Sequence, residues 1–147
     1  MKEQVLKESA PRVHLLVFEI DDELNETLTQ WARHNGIQGA HFKAIGALHQ
    51  ATIAYWNWET KKYEDHHLDE QVEVVSLIGN IAVTEDGETK MHAHVVVGRS
   101  DLSTLAGHLK SARIRPTLEL VLEESESAIR RKHDDRTGLT LISVEGS

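Results

Sequence analysis

Short apolar runs separated by polar breaks divide the chain, and the period of each run predicts its element. Val13-His14-Leu15-Leu16-Val17-Phe18-Glu19-Ile20 is apolar on both faces and predicts a strand. Asp21 and Asp22 offer a helix cap, after which Leu24, Leu28 and Trp31 recur on one helical face with Glu23, Glu26 and Gln30 on the polar side. Asn35-Gly36 supplies the stop, so a helix is predicted over residues 22–34. Residues 37–45 and 47–58 predict two strands flanking Gly46, where a hairpin could turn. Residues 60–69 form a polar connector containing His66-His67. Residues 72–83 predict a long apolar strand with Gly79 inside it, a residue that often marks a bulge or a close backbone approach.

The turn at Glu85-Asp86-Gly87-Glu88 leads into Met91-His92-Ala93-His94-Val95-Val96-Val97-Gly98, read as an antiparallel partner of the preceding strand. Residues 101–111 have two readings. Leu102, Leu105 and Leu109 fit a helical stripe, and a tight connection through Gly107 is the alternative. In residues 117–123, Leu118, Leu120 and Leu122 share one face of a strand, with Thr117, Glu119, Val121 and Glu123 on the other. Residues 125–136 are charged and expected to be exposed. Thr137-Gly138 is a turn, and residues 139–144 predict a last strand. The sum is α+β, a mainly antiparallel sheet flanked by helices.

At 147 residues the chain is expected to be a single domain, spanning 1–147, that buries a core without staples. With no cysteine it has neither disulfides nor thiolate metal ligands. That fits a reducing cytosol, and together with an N-terminus lacking a signal-type apolar core it predicts a cytoplasmic protein. No apolar run reaches the length of a membrane span. The net charge of −8, with no basic run longer than Arg130-Arg131-Lys132, argues against direct DNA binding, since phosphate neutralisation needs a basic surface.

The chemistry concentrates in the histidines. Residues i and i+2 of a strand share a face, so His92 and His94 present two imidazoles side by side. His108 follows Gly107 and offers a third. Three neutral imidazoles suit zinc or another divalent metal and leave a coordination position open. Ten histidines also make accidental neighbours more common, and the plain alternative is hydrogen bonding on a half-exposed sheet face or in an interface. His41 and His49 flank Gly46 and are candidates for the same cavity. Trp56 and Trp58 offer an aromatic platform or cover apolar surface, and Trp31 belongs to the core.

The ordered set Gly46-Ala47, Glu73-Val74-Val75-Ser76-Leu77-Ile78-Gly79-Asn80, His92-Ala93-His94-Val95, Gly107-His108-Leu109 and Thr117-Leu118-Glu119-Leu120 resembles the PPC ("plants and prokaryotes conserved") domain. The resemblance covers roughly the whole chain. It implies an α+β fold assembled as a homotrimer, of the stand-alone prokaryotic type without the AT-hook segments found in plants. The family's His-x-His and Gly-His-Leu motifs match at His92, His94 and His108. Its usual Gly-Gly-His-Leu reads Ala106-Gly107-His108-Leu109, which narrows the backbone freedom at position 106. Glu119 falls where the family pattern is acidic. It is a candidate to orient a metal-bound histidine or act as general base, against the plainer reading of an exposed carboxylate pairing with Arg113 or Arg115.

Three functions follow as expectations. The first is a homotrimer with a histidine-lined divalent-metal or small-ligand site, meeting a small-molecule or protein partner. The second is a DNA-associated regulator, by analogy with AT-hook relatives. The third is a metal-dependent hydrolase or lyase with Glu119 as base.

Overall fold

Two long strands organise the molecule: β3 (Gly39–Asn57) and β7 (Thr104–Glu124) pair antiparallel from Ala40 opposite Glu124 to Ala54 opposite His108. The computed structural model describes residues 1–7 and 11–144. β5 (Val72–Thr84) lies along the first half of β3, β6 (Thr89–Gly98) along β5, and the start of β7 returns to β6. The ladders β3–β5–β6–β7–β3 therefore close on themselves. β2 (Val13–Phe18) extends the sheet along the second half of β7 and carries β1 (Lys2–Lys7) on its outer edge. β4 (Lys62–Leu68) folds back on β3, and β8 (Arg130–Asp134) pairs with β5 in parallel and holds β9 (Leu139–Ser143). That parallel contact makes an otherwise antiparallel sheet mixed.

The core follows the period-2 pattern. Leu118, Leu120 and Leu122 are fully buried, as are Leu16 and Phe18 on the neighbouring strand. Against them pack Phe42, Leu48, Leu77, Ile81, Val95 and Val97. α1 (Leu24–His34) closes the core with Leu24, Leu28, Trp31 and Ala32. Its cap is Glu23, whose carboxylate accepts from Glu26 N at 2.6 Å, rather than Asp21 or Asp22. Asp22 instead accepts from Glu19 N at 2.9 Å, and Asp21 takes the left-handed backbone that Asp tolerates, at φ 67°.

The structure departs from the sequence reading in five places. Residues 37–58 hold one continuous strand and no hairpin. At Gly46, φ is +151° and a Cβ would lie 2.7 Å from Leu118 Cα, so the glycine lets β3 bulge tightly past β7. Residues 60–69 are largely the strand β4, polar because both its faces are mostly exposed. The helical stripe in 101–111 does not form: β7 begins at Thr104, Leu109 is buried and Leu102 is 87% exposed. The charged stretch 125–136 contains β8, with Arg131 only 7% exposed. Where flanking helices were expected, α1 is the only helix among the described residues. No described helix is long and apolar enough to cross a membrane.

Candidate metal centre

His92 and His94 stand on the same face of β6, and His94 is directly opposite His108 on β7. Each histidine offers a ring nitrogen, and the three lie within 4.8 Å of one another. Ring centroids are 5.0 Å apart for His92–His108, 5.2 Å for His92–His94 and 5.7 Å for His94–His108. His92 and His108 are half-buried and His94 is exposed. A tetrahedral zinc with bonds of about 2.0–2.1 Å brings its nitrogens to roughly 3.4 Å, a closure within reach of small side-chain rotations. The donor set, three imidazoles with no carboxylate or thiolate, fits zinc.

Electrostatics disfavour the charged form of two of the three imidazoles. Burial, then the Arg131 charge, then His108 and His94 hold the His92 imidazole down at about 4. Burial also lowers His108, followed by His94, Lys110 and Arg131, with Asp65 acting in the opposite direction. A metal ligand must be neutral, and His92 resists protonation through the physiological range, with His108 shifted in the same direction.

The surroundings come from strands distant in sequence. Tyr63 of β4 stacks on His108 at 4.7 Å between centroids, and Trp56 of β3 meets Tyr63 edge-on at 4.9 Å. Arg131 of β8 donates from Nη2 to Oδ1 of Asn80 at 2.9 Å and to Nδ1 of His92 at 3.1 Å. Since a guanidinium cannot accept, Nδ1 of His92 is the acceptor and its proton sits on Nε2, so ligation by His92 requires either Nδ1 to leave Arg131 or Nε2 to give up its proton. Arg131 Nη1 donates to the Thr140 carbonyl at 2.8 Å. Trp56, Tyr63, Arg131 and the three histidines line a pocket of about 440 Å³ together with Leu139, Thr140 and Leu141 of β9. Across β6, a shallow hollow of about 620 Å³ shares His92 and His94 and is rimmed by His41, Lys43, Ile78 and Glu123.

The other expected residues scatter. Glu119 is exposed on β7, between Val17 of β2 and Ile45 of β3, and lines neither of the two hollows that border the triad. Within one chain it does not meet the triad. His41 rims the hollow next to the triad, while His49 stands 3.0 Å from Asp21. His66 and His67 are exposed on β4, and Trp58 is 57% exposed under the Lys61 ammonium. Sequence reading missed Arg131 and Tyr63. A period-2 reading of Arg130-Arg131-Lys132, with Arg130 and Lys132 out and Arg131 in, would have revealed the first.

The profile of the Plants and Prokaryotes Conserved domain matches residues 6–126. Among solved structures, a putative DNA-binding protein from Bacteroides thetaiotaomicron is 30% identical, with 96% of each chain covered and a TM-score of 0.88. A plant- and prokaryote-conserved protein from Pyrococcus horikoshii is 28% identical over 97% of this chain and 95% of its own, with a TM-score of 0.85. A metal-containing protein from Archaeoglobus fulgidus is 31% identical over 97% of both chains, with a TM-score of 0.82. Among curated proteins nothing matches the chain.

Proposed function

The chain belongs to the Plants and Prokaryotes Conserved domain family, and from that premise we propose that it is a homotrimeric metal-binding protein holding zinc, or another divalent ion, on His92, His94 and His108. The observation that carries the reading is the meeting of three ring nitrogens within 4.8 Å on two neighbouring strands. The A. fulgidus relative, described as metal-containing, supports it. Bound there, zinc would keep a fourth position open for a water or a ligand group. The chain's own part is to hold the rings: Tyr63 supports the face of His108, and the β6–β7 register sets His94 opposite it.

Self-association is supported by the outer face of the sheet. Ile45, Val75 and Ile78 surround the shift of register where β3 meets β5 and are 60%, 58% and 60% exposed. Clustered exposed β-branched residues of this kind mark contact surfaces. Glu119 is the register partner of Ile45 on this same face, so a part for it at the triad requires a second copy. The hydrolase or lyase reading therefore depends on assembly.

Metal analysis of untagged protein purified without added metal or chelator tests the proposal. Near-stoichiometric zinc, lost in the His92→Ala/His94→Ala double variant, is expected. No bound metal after zinc is added back and the sample desalted would overturn it.

A DNA-associated role has the description of the B. thetaiotaomicron relative in its favour and the net charge of −8 against it. The basic residues also fail to form one face within a chain. Arg115 lies by Gln71 at the start of β5, Arg130 pairs with Val83 near its end, and Arg131 is buried. A low-salt gel shift showing no complex at micromolar protein would remove this reading.

A further inference from the structure

Arg131 is a buried cation without an anion. It is 7% exposed, and its hydrogen-bond partners are an amide oxygen, a neutral imidazole and a backbone carbonyl. Among the described residues no carboxylate lies within ion-pair distance of it, and its buried Nε–H has no partner. A buried guanidinium left uncompensated is costly, so such a group usually faces an anion. The pocket it lines also contains Trp56, whose buried Nε1–H has no partner either.

The lining of that pocket is selective. Among the described residues no acidic side chain lines this pocket, while Arg131, Lys90 and three histidines do. Lys90 is occupied by Glu88 at 2.6 Å, which leaves Arg131 as the lining cation without an anionic partner among the described residues. Leu139 and Leu141 of β9, with Trp56 and Tyr63, supply an apolar and aromatic wall. A volume of about 440 Å³ falls in the range of small-molecule sites.

We propose that this pocket binds a small organic carboxylate, with its head group on Arg131 and its apolar body against Trp56 and the β9 leucines. The unpartnered Nε–H and the neighbouring Nη2 form one edge of the guanidinium, which matches the two oxygens of a planar carboxylate once the ligand displaces one of the two bonds that Nη2 makes to Asn80 and His92. Arg131, Leu139 and Leu141 lie beyond residues 6–126 that the family profile covers, while Trp56, Tyr63 and the histidines of the pocket lie within them. Binding at Nη2 would also release the Nδ1 lone pair of His92. The site shares its pocket with the metal reading, but its test uses metal-free protein, so the two fail separately.

The experiment is calorimetric titration of metal-free full-length protein with benzoate, and with benzyl alcohol as the uncharged counterpart. Saturable benzoate binding is expected, with none for benzyl alcohol. Arg131→Met should weaken benzoate by about tenfold or more, as expected for loss of a charge-assisted pair, and Arg131→Lys should retain part of the affinity. Absence of saturable benzoate binding, or equal affinity in Arg131→Met, would overturn the proposal. If Arg131→Met does not fold, long-range proton–nitrogen NMR of the unmodified protein decides. Benzoate should shift the His92 Nδ1 resonance, and an unmoved resonance under saturating benzoate counts against the site. Benzoate binding that survives in His94→Ala while zinc binding is lost would separate this site from the metal reading.

Discussion

His94 and His108 are register partners across the β6–β7 ladder, with their ring centroids 5.7 Å apart. Opposite residues on one face of an antiparallel pair hold their Cβ atoms about 4.5–5.5 Å apart, so two imidazoles can reach one ion without backbone movement. His92 joins them because it shares the β6 face. The triad thus depends on one ladder being in register.

That geometry predicts which histidines matter. His94→Ala and His108→Ala should each reduce retained zinc to background after desalting. His66→Ala, on exposed β4, should leave it unchanged. Elemental analysis against protein concentration on the same samples checks this.

Acid should destabilise the metal-free protein through His92. Its folded value of about 4 lies below the ordinary 6.5, so between these values the unfolded chain binds more protons and stability falls as pH drops. From pH 7 to pH 5 the loss from this half-buried group, discounted for solvent screening, is on the order of 1 kcal/mol. Urea unfolding with chelator present should show it, and His92→Asn should flatten the dependence. Arg131→Met, which removes a charge opposing protonation, should move the His92 titration upward in proton NMR.

Assembly should respond to the sheet's outer face. Ile45→Glu combined with Ile78→Glu places like charges on the exposed apolar cluster. The variant should fold with unchanged far-ultraviolet circular dichroism and elute as a smaller species by light scattering. An unchanged mass would assign the contact surface elsewhere.

Gly79→Ala tests the packing beneath the triad. A Cβ there would meet the Phe42 ring and lie 2.5 Å from the His92 carbonyl oxygen. The overpacking should cost about 1–3 kcal/mol, read by thermal or urea unfolding. Because β6 must shift to admit the methyl group, zinc retention should fall as well. Gly87→Ala, where a Cβ meets nothing within 4 Å, provides a comparison limited to its backbone strain at φ 83°.

Local patterns were legible where one element meets one environment. The apolar stripe of α1, the alternation of Leu118, Leu120 and Leu122, and the turn at Gly87 all read directly from spacing. The misreadings fall where long-range pairing overrides local signs. Gly46 looks like a turn residue, but the close approach of Leu118 makes it a bulge inside a 19-residue strand. Residues 60–69 look like a loop because β4 covers no core, and its strand character comes from pairing with β3. The leucines of 101–111 mimic a helical stripe that the β6–β7 ladder overrides.

The sequence by itself determined an α+β chain, the shared face of His92 and His94, and a motif order that resembles one family. These are properties of neighbours along the chain, set by the 3.6-residue and 2-residue periods. Only the tertiary structure decided that His108 lies opposite His94, that Tyr63 stacks on it and that Arg131 is buried against His92. Each of those contacts depends on which strands become neighbours and in what register. Register is set by the joint burial of distant apolar residues, and a single strand's pattern does not contain it.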